Sequence, residues 1–119
     1  MRAKDALGHQ GEELAAGYLA ERGFTVIDRN WRCAHGELDL VCVDGRDTVF
    51  VEVKTRSSTA FGHPFEAITD AKLARLRRLA GAWCEAHRPP TGIIRLDIVS
   101  VLARPGALPL IEHLRGVFR

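Results

Sequence analysis

With 119 residues, 46% of them hydrophobic and 27% charged, the chain has the size and composition of a single globular domain, residues 1–119, and no second domain is expected. A formal net charge of +2 and a pI near 8.6 permit contact with a polyanion, but they fall well short of a basic balance that would argue for nucleic acid by itself. Cys33, Cys42 and Cys84 are odd in number and form no CxxC pair, which suggests neither a disulfide framework nor a zinc site and makes a reducing cytoplasm the simplest location. The first 23 residues lack the apolar core of a leader, and no later run approaches the length of a membrane span, so neither is expected.

Taken in order, Leu7, Leu14, Ala15, Tyr18 and Leu19 recur at helical spacing and predict a first helix from about Leu7 to Arg22, stopped by Gly23. "FTVID", Phe24 to Asp28, reads as a strand, and the polar "RNWRCAHG" as its connection to a hairpin spanning Gly36 to Arg56. "TRSSTAFGHPF", Thr55 to Phe65, is a Ser/Thr/Gly/Pro-rich loop of the length that often carries binding. A second helix follows, with Thr69 or Asp70 as N-cap and an apolar stripe of Leu73, Leu76, Leu79, Ala80 and Trp83. Ile93 to Leu102 reads as a strand and "LPLIEHL" as a short edge strand, its proline fitting poorly in a sheet centre. The expected fold is α/β, a mixed sheet flanked by helices in the order α-β-β-β-α-β-β.

The hairpin carries the chemistry. A turn centred on Gly45 and Arg46 sets Asp44 opposite Asp47, so continuing the register sets Asp39 opposite Glu52 and Glu37 opposite Lys54. Alternation then gives these four one face, and the other face receives Leu38, Leu40 and Cys42 against Val49, Val51 and Val53. Two facing carboxylates repel unless one is protonated or a cation lies between them, and hard ions such as Mg²⁺ take carboxylates together with water and phosphate oxygens. Lys54 would reach the same volume as a point charge. On the first helix, at ~100° per residue, Glu12 falls at the boundary of the apolar stripe and Glu13 on the opposite side, which makes Glu12 the third candidate ligand.

The spacing D-x(12)-E-x-K, with Asp39, Glu52, Lys54 and an upstream helical Glu12, resembles the PD-(D/E)xK nuclease superfamily and its Holliday-junction-resolvase branch. Over nearly the whole chain, "GHQGEELAAGYLAERGFTVIDRNWR", "GELDLV", "VFVEVKTR", "FGHPFEAI" and "RLDIV" are similar to the bacterial YraN-like family of predicted endonucleases. The resemblance implies a restriction-endonuclease-like fold and phosphodiester hydrolysis dependent on Mg²⁺ or Mn²⁺. It makes Asp39 and Glu52 metal ligands, Glu12 the helix-borne acid, Lys54 the catalytic lysine, and Lys72 a residue near the site. Leu38 stands where the superfamily motif carries proline. The implied partner is DNA, with branched or single-stranded forms among the candidates, and junction-resolving relatives act as homodimers.

Each feature also has a plainer reading. Asp39, Glu52 and Lys54 would suit a solvated sheet face, and Glu12 an acid complementing the helix dipole. Glu37 is as well explained by pairing with Lys54 as by metal binding, and Arg56 is a candidate supporting residue. Lys72, Arg75, Arg77 and Arg78 lie off the leucine stripe, and Arg75 and Arg78 are the candidate phosphate contacts. Arg95 and Asp97 read as supporting residues or as a buried ion pair. Trp31 would pack at a strand edge or stack on a base. His9, His35 and His63 lack metal-ligand spacing. A non-catalytic nucleic-acid-binding or assembly module that keeps the nuclease fold is the alternative function.

Overall fold

In the computed structural model, which describes residues 3–58, 60, 62, 65, 68–88 and 92–117 (3–5 by backbone only), the chain begins with α1 (Ala3–Glu21). The helix closes where Phe24 N donates to Leu19 O at 3.0 Å and Gly23 takes φ +89°, a left-handed stop that glycine adopts without strain. β1 (Thr25–Cys33) follows, then β2 (Gly36–Asp44) and β3 (Asp47–Arg56) around the Gly45–Arg46 turn. α2 (Asp70–Ala86) starts at Thr69, whose side chain accepts from Lys72 N at 3.2 Å. β4 (Ile94–Leu102) and β5 (Leu110–Leu114) complete the expected order.

One sheet runs β1-β2-β3-β4-β5, parallel only between β3 and β4, where α2 makes the crossover. Two apolar layers cover it. On one face Ala15, Ala16, Leu19 and Phe24 pack on Leu40, Cys42, Val49, Val51, Val99 and Val101. On the other, Leu76, Leu79, Ala80 and Trp83 pack on Leu38, Val41, Phe50 and Leu96, so the second stripe lies where its spacing put it. Each fully buried Leu, Val or Phe among them stabilises the fold by ~1.5–3 kcal/mol. Burial also pushes the Cys42 thiol up to about 12, and all three cysteines are free.

Two expectations are corrected here. β1 does not end at Asp28 but runs five residues on through "RNWRC", leaving only Ala34 and His35 as a turn. The reason is its place at the sheet edge, where half the strand faces water and polar residues are tolerated while the backbone still pairs with β2. Leu38 does not share a face with Leu40 and Cys42; it packs with Val41 and Phe50 on the α2 side. No helix among the described residues is long and apolar enough to cross a membrane.

Candidate metal centre at a strand fork

The turn end of the hairpin keeps the expected register, with Asp44 opposite Asp47, Cys42 opposite Val49 and Leu40 opposite Val51. There the paired ladder stops. Beyond it β2 follows β1 down to Gly36 opposite Cys33, while β3 follows β4 down to Arg56 opposite Leu102, and the two strands part company. Asp39 sits in the crotch, its Oδ2 accepting the Val53 N–H at 2.7 Å. A carboxylate thus takes the place of a strand carbonyl, and the expected opposition of Asp39 to Glu52 gives way to a fork.

The expected common face of the four charged residues is also overturned, and the cause is local. Regular alternation from Cys42 and Leu40 would send Asp39 and Glu37 toward α2. Instead Leu38 joins the α2 layer, and the acids on either side of it meet Glu12 from α1. Across the ladder Asn30, placed between the pairs Arg29–Leu40 and Trp31–Leu38, has φ +50°. Both strands therefore reset their facing at one step.

As a result a carboxylate oxygen from each of Glu12, Glu37 and Asp39 lies within 4.8 Å of the others, all three side chains half-buried. Helix phase behaves as expected, for Glu12 enters this cluster whereas Glu13 is exposed and meets Arg29 at 2.5 Å. Gly11 permits the approach: a Cβ there would lie 1.8 Å from Thr55 Oγ1, so α1 rests directly on β3 one residue before Glu12. Glu37, ranked below the others from sequence, is a full member. It does not meet Lys54; Arg32 Nε donates to its Oε2 at 2.7 Å and Asn30 Nδ2 to its Oε1 at 3.2 Å.

Glu52 and Lys54 form the other side of the fork. Val49, Val51 and Val53 belong to the α1 layer, so alternation turns Glu52 toward α2. There its Oε1 receives Arg75 at 3.0 Å and its Oε2 lies 3.7 Å from Lys54 Nζ. Arg75, expected to contact phosphate, is thus also the partner of a motif acid.

The electrostatics follow from this arrangement. Burial, with the nearby Glu12, Glu52 and Glu37 adding to it, outweighs the Val53 hydrogen bond and raises the Asp39 carboxyl from 3.8 to about 7. All the converging ligands are oxygens, the donor type preferred by Mg²⁺, Mn²⁺ and Ca²⁺. Of the three acids only Glu37 has a guanidinium hydrogen-bonded to it among the described contacts, so the cluster carries more negative charge than its neighbours offset. The donor set fits a hard divalent cation.

The remaining candidates are distributed as follows. Arg56 ends β3, and its NH1 donates to Gly62 O while its Nε is buried without a described partner. Lys72 lies in the first turn of α2, half-buried, and Arg78 is exposed further along. Arg95 and Asp97 resolve as a buried ion pair: fully buried Asp97 accepts Arg95 Nε at 2.9 Å, His113 Nε2 at 2.8 Å and Gly116 N at 3.0 Å, and Arg95 also reaches Asp44. Burial would raise the Asp97 carboxyl, but His113, Arg95 and Gly116 outweigh it and hold it below the usual range. Trp31 packs against the α2 layer, 5.9 Å from the His87 ring. His9 and His35 are exposed, and His63 lies outside the described residues, as does much of the loop around it.

Asn30 is the residue that sequence reasoning missed. It was hidden because "RNWR" read as a connection, which left no register to set it opposite Asp39. The available signal was an Asn in a polar edge segment, one of the few non-glycine residues that accept φ above zero.

Comparison with known proteins places the chain. A profile of the Uncharacterised protein family UPF0102 matches residues 11–101. The chain belongs to this family. UPF0102 proteins from Arthrobacter sp. (strain FB24) and Beutenbergia cavernae are 58% and 56% identical to it over 117 residues, covering 98% of this chain and 99% of each relative. One from Paenarthrobacter aurescens is 53% identical over 98% of this chain and 97% of its own length. The matched UPF0102 region includes Glu12, Asn30, Glu37, Asp39, Glu52 and Lys54 and stops before β5.

Proposed function

We propose that the chain is a nuclease that hydrolyses DNA phosphodiester bonds with the help of Mg²⁺ or Mn²⁺. The observation that carries the reading is the convergence of Glu12, Glu37 and Asp39 from three different elements within 4.8 Å, beside the Glu52–Lys54 pair. Asp39, Glu12 and Glu37 would hold the cation, with Glu52 joining from the facing strand. When bound, it supplies Lewis-acid stabilisation of the charge that develops on the phosphoryl oxygens. Lys54, kept beside Glu52, aligns the attacking water and donates to a phosphate oxygen. Arg75 and Arg78 project from α2 to hold the flanking strand by its phosphates, a contact that positions without reading sequence. The rigidity of two strands and a helix, rather than a loop, sets the ligand separation.

A second reading has its own support. Both Glu52 oxygens already face cationic side chains, Arg75 and Lys54, so that half of the motif is charge-compensated as a structural ion pair would be. A nucleic-acid-binding or assembly module would need nothing more. Labelled duplex, single-strand, flap and four-way-junction DNA incubated in Mn²⁺ and in Mg²⁺ separates the two. The nuclease reading expects cleavage that falls by about a hundredfold or more in both Asp39→Ala and Lys54→Ala. Binding without cleavage, or cleavage that survives both substitutions, selects the second.

A further inference from the structure

In the structure the Asn30 side chain lies between two acids that can only accept hydrogen bonds. Its Nδ2 donates to Glu12 Oε2 at 2.6 Å and to Glu37 Oε1 at 3.2 Å, so one amide nitrogen uses both hydrogens to bridge α1 and β2. The backbone is arranged for this: Asn30 takes φ +50°, the one non-glycine residue with positive φ among those described, and it stands across the ladder from Asp39. A left-handed residue in mid-strand is strained and persists only where its surroundings hold it there. The contacts around it show the effect. Arg29 meets Glu13 on α1 and Asn30 meets Glu12 on α1, so two successive side chains reach the same side, which regular strand geometry forbids.

Resting on the nuclease reading of this site, we propose that Asn30 is a further member of the cation centre, holding Glu12 and Glu37 at ligating separation and turning its carbonyl oxygen to the ion when one binds. The chemistry requires the turn. An N–H pair aimed between two carboxylates satisfies them in the absence of a cation and opposes a cation placed there. Rotation of the amide about its last torsion replaces that donor with Oδ1, a ligand type that hard ions accept alongside carboxylates. No other described side chain hydrogen-bonds two of the three acids.

Three proteins test this, with Mn²⁺ affinity by titration calorimetry and melting temperature with and without chelator as readouts. Asn30→Gly keeps the left-handed backbone available and removes the amide. It is expected to fold and to bind Mn²⁺ about tenfold more weakly or worse. Asn30→Asp keeps an acceptor of the same shape and removes the donor, so it should melt lower than wild type in chelator at pH 8 yet bind Mn²⁺ at least as tightly. A turn-forming role alone would leave Asn30→Gly with wild-type affinity, and that result overturns the proposal. So does an Asn30→Asp protein whose affinity falls as far as that of Asn30→Gly. The wild-type titration keeps the two failures apart: no Mn²⁺ binding by wild type removes the nuclease reading and this inference together, whereas wild-type binding that survives Asn30→Gly removes only the inference.

Discussion

Replacing Asp39 with Asn should make the protein more stable in the absence of divalent cation, and the size of the gain can be worked from the site. In the folded chain the carboxyl titrates at about 7 against an ordinary value of 3.8. The folded state therefore retains a proton that the unfolded chain has released between pH ~4 and pH ~7, and stability falls as pH rises across that window. Above it the whole penalty is present, with a ceiling on the order of 4 kcal/mol at 1.36 kcal/mol per decade. Asparagine carries no charge at any pH, and its carbonyl still accepts the Val53 N–H that Asp39 holds at 2.7 Å. For 119 residues, 1 kcal/mol corresponds to roughly 4 °C of melting temperature, so even half the ceiling is readily measured. Thermal melts of wild type and Asp39→Asn in chelator from pH 5 to pH 8 should show a gap that opens with pH in favour of the variant. Adding Mn²⁺ should stabilise wild type at pH 8, where Asp39 is ionised, and leave the variant nearly unmoved. A variant less stable than wild type at pH 8, or a gap that does not change with pH, would refute the reasoning.

Three further substitutions probe the support of the site. Gly11→Ala places a methyl 1.8 Å from Thr55 Oγ1; overpacking of this kind costs ~1–3 kcal/mol, and the displaced α1 should carry Glu12 away, so the melting gain from Mn²⁺ should shrink along with the baseline. Asp97→Asn leaves the Arg95 guanidinium and His113 facing a neutral group in a buried network, which should cost ~3–5 kcal/mol in urea unfolding. Because the Asp97 carboxyl is held below its ordinary value, its contribution is full above pH ~4 and lost as pH falls through the folded value, and the variant should lack that acid-side decline. Arg75→Gln removes a half-exposed ion pair worth ~0–1 kcal/mol, so stability should hold while DNA affinity falls and its dependence on salt weakens by about one phosphate contact; anisotropy titrations at several salt concentrations with an unchanged slope would count against the phosphate role.

What the sequence made legible and what it did not divide along a physical line. Periodicity located both helices: the stripe Leu73, Leu76, Leu79, Ala80 and Trp83 is buried to the last member, and helix phase separated Glu12 from Glu13. Turn chemistry fixed the register from Asp44–Asp47 to Leu40–Val51. Both signals are local, acting over a few residues. The failures begin where the answer depends on a third element. β1 outruns its sequence pattern because an edge strand need not alternate, and without its last five residues Asn30 has no partner across the ladder. The facing of Glu37 and Asp39 departs from regular alternation at a step that coincides with a single left-handed residue on the neighbouring strand, which no pattern within β2 signals. Asp97, whose partners Arg95, His113 and Gly116 are spread over β4, β5 and the segment that follows, could not be resolved between a supporting residue and a buried ion pair by any local pattern.

The fork accounts for why charged residues occupy strands on which the core depends. Had β2 and β3 stayed paired to their ends, Glu37, Asp39, Glu52 and Lys54 would have stood on one face, with two acids directly opposed and little room for a polyanion between them. Parting after Leu40–Val51 sacrifices only the outermost rungs of one ladder, because β2 remains paired with β1 and β3 with β4. Asp39 then meets the hydrogen-bonding need of Val53, and the charges divide: Glu37 and Asp39 join Glu12 under α1, while Glu52 meets Arg75 under α2. An opening between two strands that are each firmly paired on their outer sides is rigid as well as accessible. On the nuclease reading, that combination is what in-line attack on a phosphate demands, since the ligand oxygens must hold their separation while the substrate enters.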